Sequence, residues 1–88
     1  MSVASGGTGV RAVVELLART LTDRPDDVRV VESAHRGATL VEVYVAPDDL
    51  GKVIGKHGRT AAALRTLAAS AAEHDGKTIT LEIREGRP

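Results

Sequence analysis

The sequence predicts an α+β fold in which three helices cover one face of a three-stranded sheet. Apolar residues recur at helical spacing in some segments and alternate at strand spacing in others, and glycines or prolines separate these segments. In chain order the elements are helix, strand, strand, helix, helix and strand. Because neither a one-sided sheet nor an amphipathic helix can bury its apolar side alone, we expect the two layers to pack on each other.

The first element is an amphipathic helix that begins near Val10. Thr8 is its expected N-cap, and Pro25 in the turn segment 22–27 prevents the helix from continuing. Five residues at helical spacing form its predicted apolar face: Val10, Val13, Val14, Leu17 and Leu21.

Two segments rich in β-branched residues, 28–34 and 39–46, predict the first two strands. The intervening His35-Arg36-Gly37 is short and polar, and Gly37 can adopt a positive φ. We therefore expect an antiparallel hairpin, which Pro47 ends.

Two helices are predicted next, one short and one long. The short helix covers about residues 49–54 with Asp48 as its expected cap. The long helix runs from Arg59 to about Glu73, is rich in alanine, and has Gly76 at the expected C-cap. Its predicted apolar stripe consists of Leu64, Leu67, Ala68 and Ala71.

The last element is a strand in which Ile79, Leu81 and Ile83 alternate with polar residues. We expect one domain over residues 10–84, with a flexible tail at 1–9 and a C-terminal tail at 85–88. A chain of 88 residues has room for a single core, and no apolar run approaches the roughly 20 residues needed to span a bilayer. A water-soluble protein without membrane contact is expected.

Composition excludes several classes of protein. The chain has no cysteine, which excludes disulfides and thiolate zinc sites and is typical of a reducing cytoplasm, the predicted location. The three histidines are not clustered and no nucleophile has a recognisable base, so no metal, cofactor or catalytic residue is predicted. Phosphate-loop and dinucleotide-binding spacings are missing from the sequence, so no small-molecule substrate is expected. Tyr44 is the one aromatic residue, which excludes an RNA recognition motif.

The formal net charge is zero, but the charges are unevenly distributed. Between Leu50 and Ala72 the sequence has no acidic residue. Four basic residues lie in that segment: Lys52, Lys56, Arg59 and Arg65. The segment is therefore locally basic, and the remainder of the chain is acidic.

The most informative part of that segment is Gly55-Lys56-His57-Gly58, which joins the two predicted helices. Two glycines let a nucleic-acid backbone approach the main chain closely. The following helix directs its first amide groups and the positive end of its dipole toward a phosphate. Lys56 and His57 add hydrogen-bond donors at the tip.

An apolar pair, Val53-Ile54, followed by Gly-x-x-Gly and an amphipathic helix resembles the signature of a KH domain. The element order resembles the type II form, and the run from Gly51 to Thr60 is most similar to the small bacterial KhpA-type RNA-binding proteins. The resemblance covers the chain from Val10 to Ile83.

The resemblance implies that this loop clamps the backbone of single-stranded RNA, with the bases in a narrow apolar groove between helix and sheet. Carried over by position, the clamp is Gly55, Lys56, His57 and Gly58. Val53 and Ile54 precede it and line the groove or the core. Lys52, Arg59 and Arg65 are secondary candidates, chosen for their charge and helical proximity.

One position departs from the family pattern: Ala61 stands where many KH domains have a larger aliphatic residue. It leaves the width of the groove and the base preference open, although Leu64 fits the next apolar position.

The resemblance implies a non-catalytic RNA chaperone or post-transcriptional regulator of a bacterial cytoplasm. It also implies pairing, either as a homodimer or with a larger KhpB-type KH protein. The alternative is a protein-interaction module that keeps the KH fold for dimerisation or partner binding without touching RNA. In that case residues 55–58 are only a turn, and the alanine-rich helix provides a face for the partner.

Overall fold

The computed structural model describes residues 9–88, apart from the side chain of His35. Within that range the chain forms three α-helices and three strands: α1 (Gly9–Leu21), β1 (Arg29–His35), β2 (Ala38–Val45), α2 (Leu50–Ile54), α3 (Arg59–His74) and β3 (Ile79–Glu85). The α+β class and the element order predicted from the sequence are confirmed. No helix within residues 9–88 is long and apolar enough to cross a membrane.

The three strands form one mixed sheet in the order β1-β2-β3. β1 runs antiparallel to β2, with Arg29 opposite Tyr44 at one end and His35 opposite Ala38 at the other. β3 runs parallel to β2, with Val45 opposite Glu85. The crossover between these parallel strands contains α2 and α3, so both helices are placed against β3.

The predicted hairpin between β1 and β2 is confirmed. Its turn is Arg36 and Gly37, whose φ angles are 51° and 80°. Positive φ at both residues is what the type I′ turn of a two-residue hairpin requires, because its twist matches that of the strands. Gly37 adopts this conformation without strain, as the sequence predicts.

The core lies between the sheet and the helices. Val41, Val43 and Val45 of β2 are fully buried at the centre of the sheet. The helices contribute residues at intervals of three or four along one narrow stripe each: Val10, Val14 and Ala18 from α1, and Ala61, Leu64, Ala68 and Ala72 from α3. Small alanines let each helix backbone approach the sheet closely.

Some residues predicted to be buried are exposed. Val13 and Leu21 in α1 are 37% and 36% exposed, and Leu67 in α3 is 50% exposed. The reason is that each helix buries a narrower stripe than its sequence offers, and Ala18 occupies the core position that the prediction gave to its larger neighbours.

The ends of the elements correct one predicted cap and confirm another. Asp48 makes no capping hydrogen bond with the described residues; its side chain is 84% exposed, and a 3₁₀ turn (Pro47–Asp49) precedes α2. At the end of α3, Gly76 has φ 72°, and Lys77 N donates to Ala72 O at 2.7 Å, as in a Schellman C-cap. The predicted cap Thr8 lies outside the described residues.

Candidate nucleic-acid interface

The four residues between α2 and α3, residues 55–58, form the glycine loop. Gly55 has φ 76° and ψ 173°, a region of backbone space that is essentially restricted to glycine. His57 (φ 57°, ψ 24°) and Gly58 (φ 71°, ψ 13°) are both left-handed. The side chains of Lys56 and His57 are exposed at the tip of the loop.

The two glycines are required for different reasons. A β-carbon at Gly55 would collide with the Thr60 hydroxyl and stand 2.6 Å from Thr60 Cβ. A β-carbon at Gly58 would meet nothing within 4 Å, so only the backbone angle favours glycine there. The loop is therefore closed on the side of Thr60 and open to solvent at Gly58.

Three basic side chains of the loop region are available to an anion. Lys56, His57 and Arg59 are exposed, and none of them forms an ion pair with another described residue. The 16-residue helix α3 begins at Arg59, whose N–H donates to Lys56 O, and the following amide groups of its first turn have no acceptor within α3. This combination of side-chain charge and helix N-terminus favours a phosphate.

The predicted apolar pair before the loop is divided between two roles. Val53 is completely buried in the core, whereas Ile54 is 38% exposed beside the loop. Ile54 therefore presents an apolar side chain to solvent next to the loop, and Val53 packs in the core.

Arg65 lies at the boundary between α3 and the outer edge of β3. Its Nε donates a hydrogen bond to Leu81 O at 3.3 Å. Thr78 O and Gly86 N bond to β2, so the even-numbered residues of β3 face β2 and Leu81 faces the outer edge. Arg65 thus covers one carbonyl of an otherwise open strand edge.

The structure places the ammonium of Lys52 in ion pairs with two carboxylates. Its Nζ lies 3.2 Å from Asp23 Oδ2 and 3.8 Å from Asp49 Oδ1, in the direction of the turn that follows α1. Lys52 therefore differs from Lys56 and Arg59, which form no ion pair with another described residue.

Asp49 was not among the residues that the sequence nominated for the site. Its side chain is 1% exposed; Oδ1 accepts the N–H of Asp23 at 3.1 Å and Oδ2 that of Arg24 at 2.9 Å. Burial alone would raise the pKa of this carboxyl, but those two donors and the charges of Lys52 and Arg24 outweigh burial and lower its pKa. The carboxylate is thus held in its charged form.

Away from the loop, Tyr44 O–H donates to Glu42 Oε2 at 3.2 Å on the sheet face opposite the helices. Desolvation, followed by the hydrogen bond to Glu42 and its negative charge, raises the pKa of Tyr44. In the described part of the chain, no group of three or more acidic or histidine side chains is placed to hold a metal ion.

Comparison with known proteins identifies the family. Residues 11–83 match the family model described as KhpA/KhpB, KH domain. The chain is similar to RNA-binding protein KhpA of Clostridium perfringens, with 42% identity over 74 residues that cover 84% of this chain and 99% of that protein. The KhpA of Aquifex aeolicus is 44% identical over 78 residues, covering 89% and 99%. That of Mycobacterium tuberculosis strain H37Rv is 62% identical over 56 residues, covering 64% and 70%.

Solved structures share the fold at low sequence identity. Era in complex with MgGDPNP and nucleotides 1506–1542 of 16S ribosomal RNA aligns with a TM-score of 0.60 and 17% identity, over 86% of this chain and 29% of that one. The relatives in the family are named for RNA binding and not for a reaction. The match over residues 11–83 and the identity to complete KhpA chains show that this protein belongs to the KhpA/KhpB KH-domain family.

Proposed function

We propose that this protein is a non-catalytic RNA-binding protein of the bacterial cytoplasm that clamps single-stranded RNA with the glycine loop. In this role it acts as an RNA chaperone or post-transcriptional regulator. The observation that carries the proposal is the exposed pair Lys56 and His57 at the N-terminus of α3, without competing acidic partners among the described residues. The names of its relatives support RNA as the ligand.

The geometry around the loop favours contact with a backbone and not with a single phosphate. Gly58 has open space above its Cα, so a strand can approach the main chain there. Ile54 provides an exposed apolar side chain on one side of the loop, and Arg65 marks the outer edge of β3 on the other side of α3. Bases are proposed to lie along α3 between these two residues.

The proposal is tested by reversing the charge at the loop tip. Fluorescence anisotropy with a short single-stranded RNA at physiological salt compares the wild type with the double variant Lys56→Asp and His57→Asp. We expect affinity to fall by at least about tenfold, because two acids then face the phosphates. Unchanged binding would show that residues 55–58 are only a turn.

A matched control is available at the opposite end of the sheet. The double variant Arg36→Asp and Ser33→Asp changes the net charge by the same amount at exposed hairpin positions. We expect its RNA affinity to stay within about threefold of the wild type, since only long-range electrostatics changes. An equal loss in both variants would indicate binding by net charge without a loop site.

One further surface supports the pairing that the family name suggests. Val13 and Leu67 line the same shallow groove between α1 and α3, and Leu16 lies one turn from Val13. Leu16 is 67% exposed and Leu67 is 50% exposed. We call these three residues the α1–α3 face and propose that it packs against a second KH domain, either a second copy of this chain or a KhpB-type partner.

Light scattering over a range of concentrations tests self-pairing. We expect the wild type to show a concentration-dependent increase in mass, and Leu67→Glu to remain a monomer because it places a charge on the face. Glu substitution at exposed Ala69, on another side of the same helix, is the control. A monomeric wild type at all concentrations would exclude self-pairing.

A further inference from the structure

We propose that Asp49 is a positioning residue for the glycine loop: its buried carboxylate fastens the start of α2 to the turn after α1 and so fixes where the loop stands. This inference rests on the proposed function, because the loop's position matters only if the loop binds RNA. Neither the family match nor the sequence motif assigns this role.

Because α2 is short, its orientation depends on contacts with the rest of the protein. The helix has five residues, Leu50–Ile54, and a helix of that length is not stable on its own in water. Its one completely buried side chain is Val53, and Leu50 at its first position is partly buried against the same core. These two apolar contacts hold α2 against the core, but they are not directional, so polar bonds are needed to fix the start of the helix.

Asp49 supplies directional polar bonds at the start of α2. It directly precedes α2, and each of its carboxylate oxygens accepts a different backbone N–H, Asp23 on Oδ1 and Arg24 on Oδ2. Two bonds to adjacent amides fix the orientation of the carboxylate as well as its distance. Together with the core contacts of Val53 and Leu50, they define the direction of α2.

Lys52 completes the cluster from within α2. Its ammonium lies within ion-pair distance of both Asp23 and Asp49. The positive charge therefore compensates a carboxylate that is removed from solvent, and it joins α2 to the same turn a second time.

The loop has little freedom to absorb a change in α2. Gly55 N donates to Gly51 O at 2.8 Å, and Gly58 N donates to Gly55 O at 3.1 Å. The main chain at Gly55 also packs directly against Thr60 at the start of α3. A tilt of α2 is therefore transmitted to residues 55–58 and changes how Lys56 and His57 are presented.

The substitution Asp49→Asn tests this role, because positioning and electrostatics predict opposite changes in RNA affinity. Asparagine has one acceptor oxygen, so its amide group would face one of the two backbone N–H donors. Loss of a negative charge near the loop should, by electrostatics alone, strengthen RNA binding. Positioning predicts the opposite, a loss of about fivefold or more in affinity while the protein remains folded.

The neighbouring Asp48→Asn is the matched control. It removes the same charge from an exposed side chain whose nearest charged partner is Arg24 at 3.9 Å. We expect it to bind RNA as tightly as the wild type or slightly more tightly. Val14→Ala, which leaves a cavity in the core far along the chain from the loop, controls for lost stability, and its affinity should stay within about twofold.

The measurements are RNA affinity by anisotropy and the amide shifts of residues 55–58 by NMR, with folding checked by urea denaturation. If Asp49→Asn is partly unfolded, all variants are compared in trimethylamine N-oxide, which favours the folded state. Wild-type affinity and unchanged loop shifts in folded Asp49→Asn would overturn this inference. Wild-type affinity in the Lys56→Asp and His57→Asp variant would instead overturn the proposed function, so the two failures are distinguishable.

Discussion

The two sides of α3 present different surfaces. Its N-terminal end and its β3-facing side carry basic side chains, with Lys56 and His57 in the preceding loop and Arg65 over the strand edge. Its α1-facing side carries the exposed, uncharged Leu67 next to Val13. One helix thus separates the proposed RNA site from the proposed partner surface, and the two proposed activities should be separable by mutation.

The largest expected effect concerns the loop side, at Gly55. Gly55→Ala forces alanine into a backbone region restricted to glycine and against Thr60, and should lower the free energy of unfolding by about 3 kcal/mol. Gly58→Ala should cost about 1 kcal/mol, because only its left-handed angle is unfavourable. Urea denaturation measures both. Equal costs would show that contact with Thr60 does not constrain Gly55.

A comparable contrast lies between two leucines of α3. Leu64 is 3% exposed, and Leu64→Ala should lower the free energy of unfolding by about 3 kcal/mol by leaving a cavity. Leu67→Ala should cost under about 1 kcal/mol in the monomer, since Leu67 is half exposed. Denaturation at a concentration where light scattering shows monomer makes the comparison. A large cost at Leu67 in the monomer would mean that this side of the helix is core and not a surface.

A smaller effect distinguishes two lysines four positions apart. Lys56→Ala should lower RNA affinity by about three- to tenfold. It should also reduce the salt slope, which is the slope of the logarithm of the binding constant against the logarithm of the salt concentration, by about one. Lys52→Ala should leave the salt slope unchanged, because its ammonium is paired with Asp23 and Asp49. Affinities measured over a series of salt concentrations test both. An equal change of slope for the two lysines would place Lys52 on RNA after all.

The smallest expected effect is on acid stability. The pKa of Asp49 is lower in the folded protein than its ordinary value of 3.8, so its charged form stabilises the fold above that value. This stabilisation is lost as the pH falls through the lower, folded-state pKa. The difference in urea midpoint between wild type and Asp49→Asn should be constant above about pH 5 and shrink below pH 4. A difference that does not decrease at all below pH 4 would contradict the charged-carboxylate account.

Local signals explain why much of the fold could be predicted from the sequence. Turn chemistry at Gly37 and Gly76, strand alternation in β2 and β3, and the spacing of residues 55–58 all depend on near neighbours in the chain. Each is specified within a few residues, so no knowledge of tertiary packing was needed. The element order followed from these signals together.

The remainder depends on residues far apart in the chain. Asp49 bonds to amides 25 and 26 positions earlier, and no local pattern marks that contact. The ion pair between Lys52 and Asp23 also joins residues far apart in the chain, so it could not be predicted from the sequence. Helical periodicity shows which residues share a face, but not how wide a stripe the sheet covers, so the exposure of Leu67 and Val13 became visible only in the packed structure.

The most direct test of the account is an NMR titration of the labelled protein with a short single-stranded RNA. We predict the largest amide shift changes at residues 55–58, Arg59 and Arg65, and small changes at Val13, Leu16 and Leu67. Binding through the α1–α3 face, with the loop amides unmoved, would contradict the account.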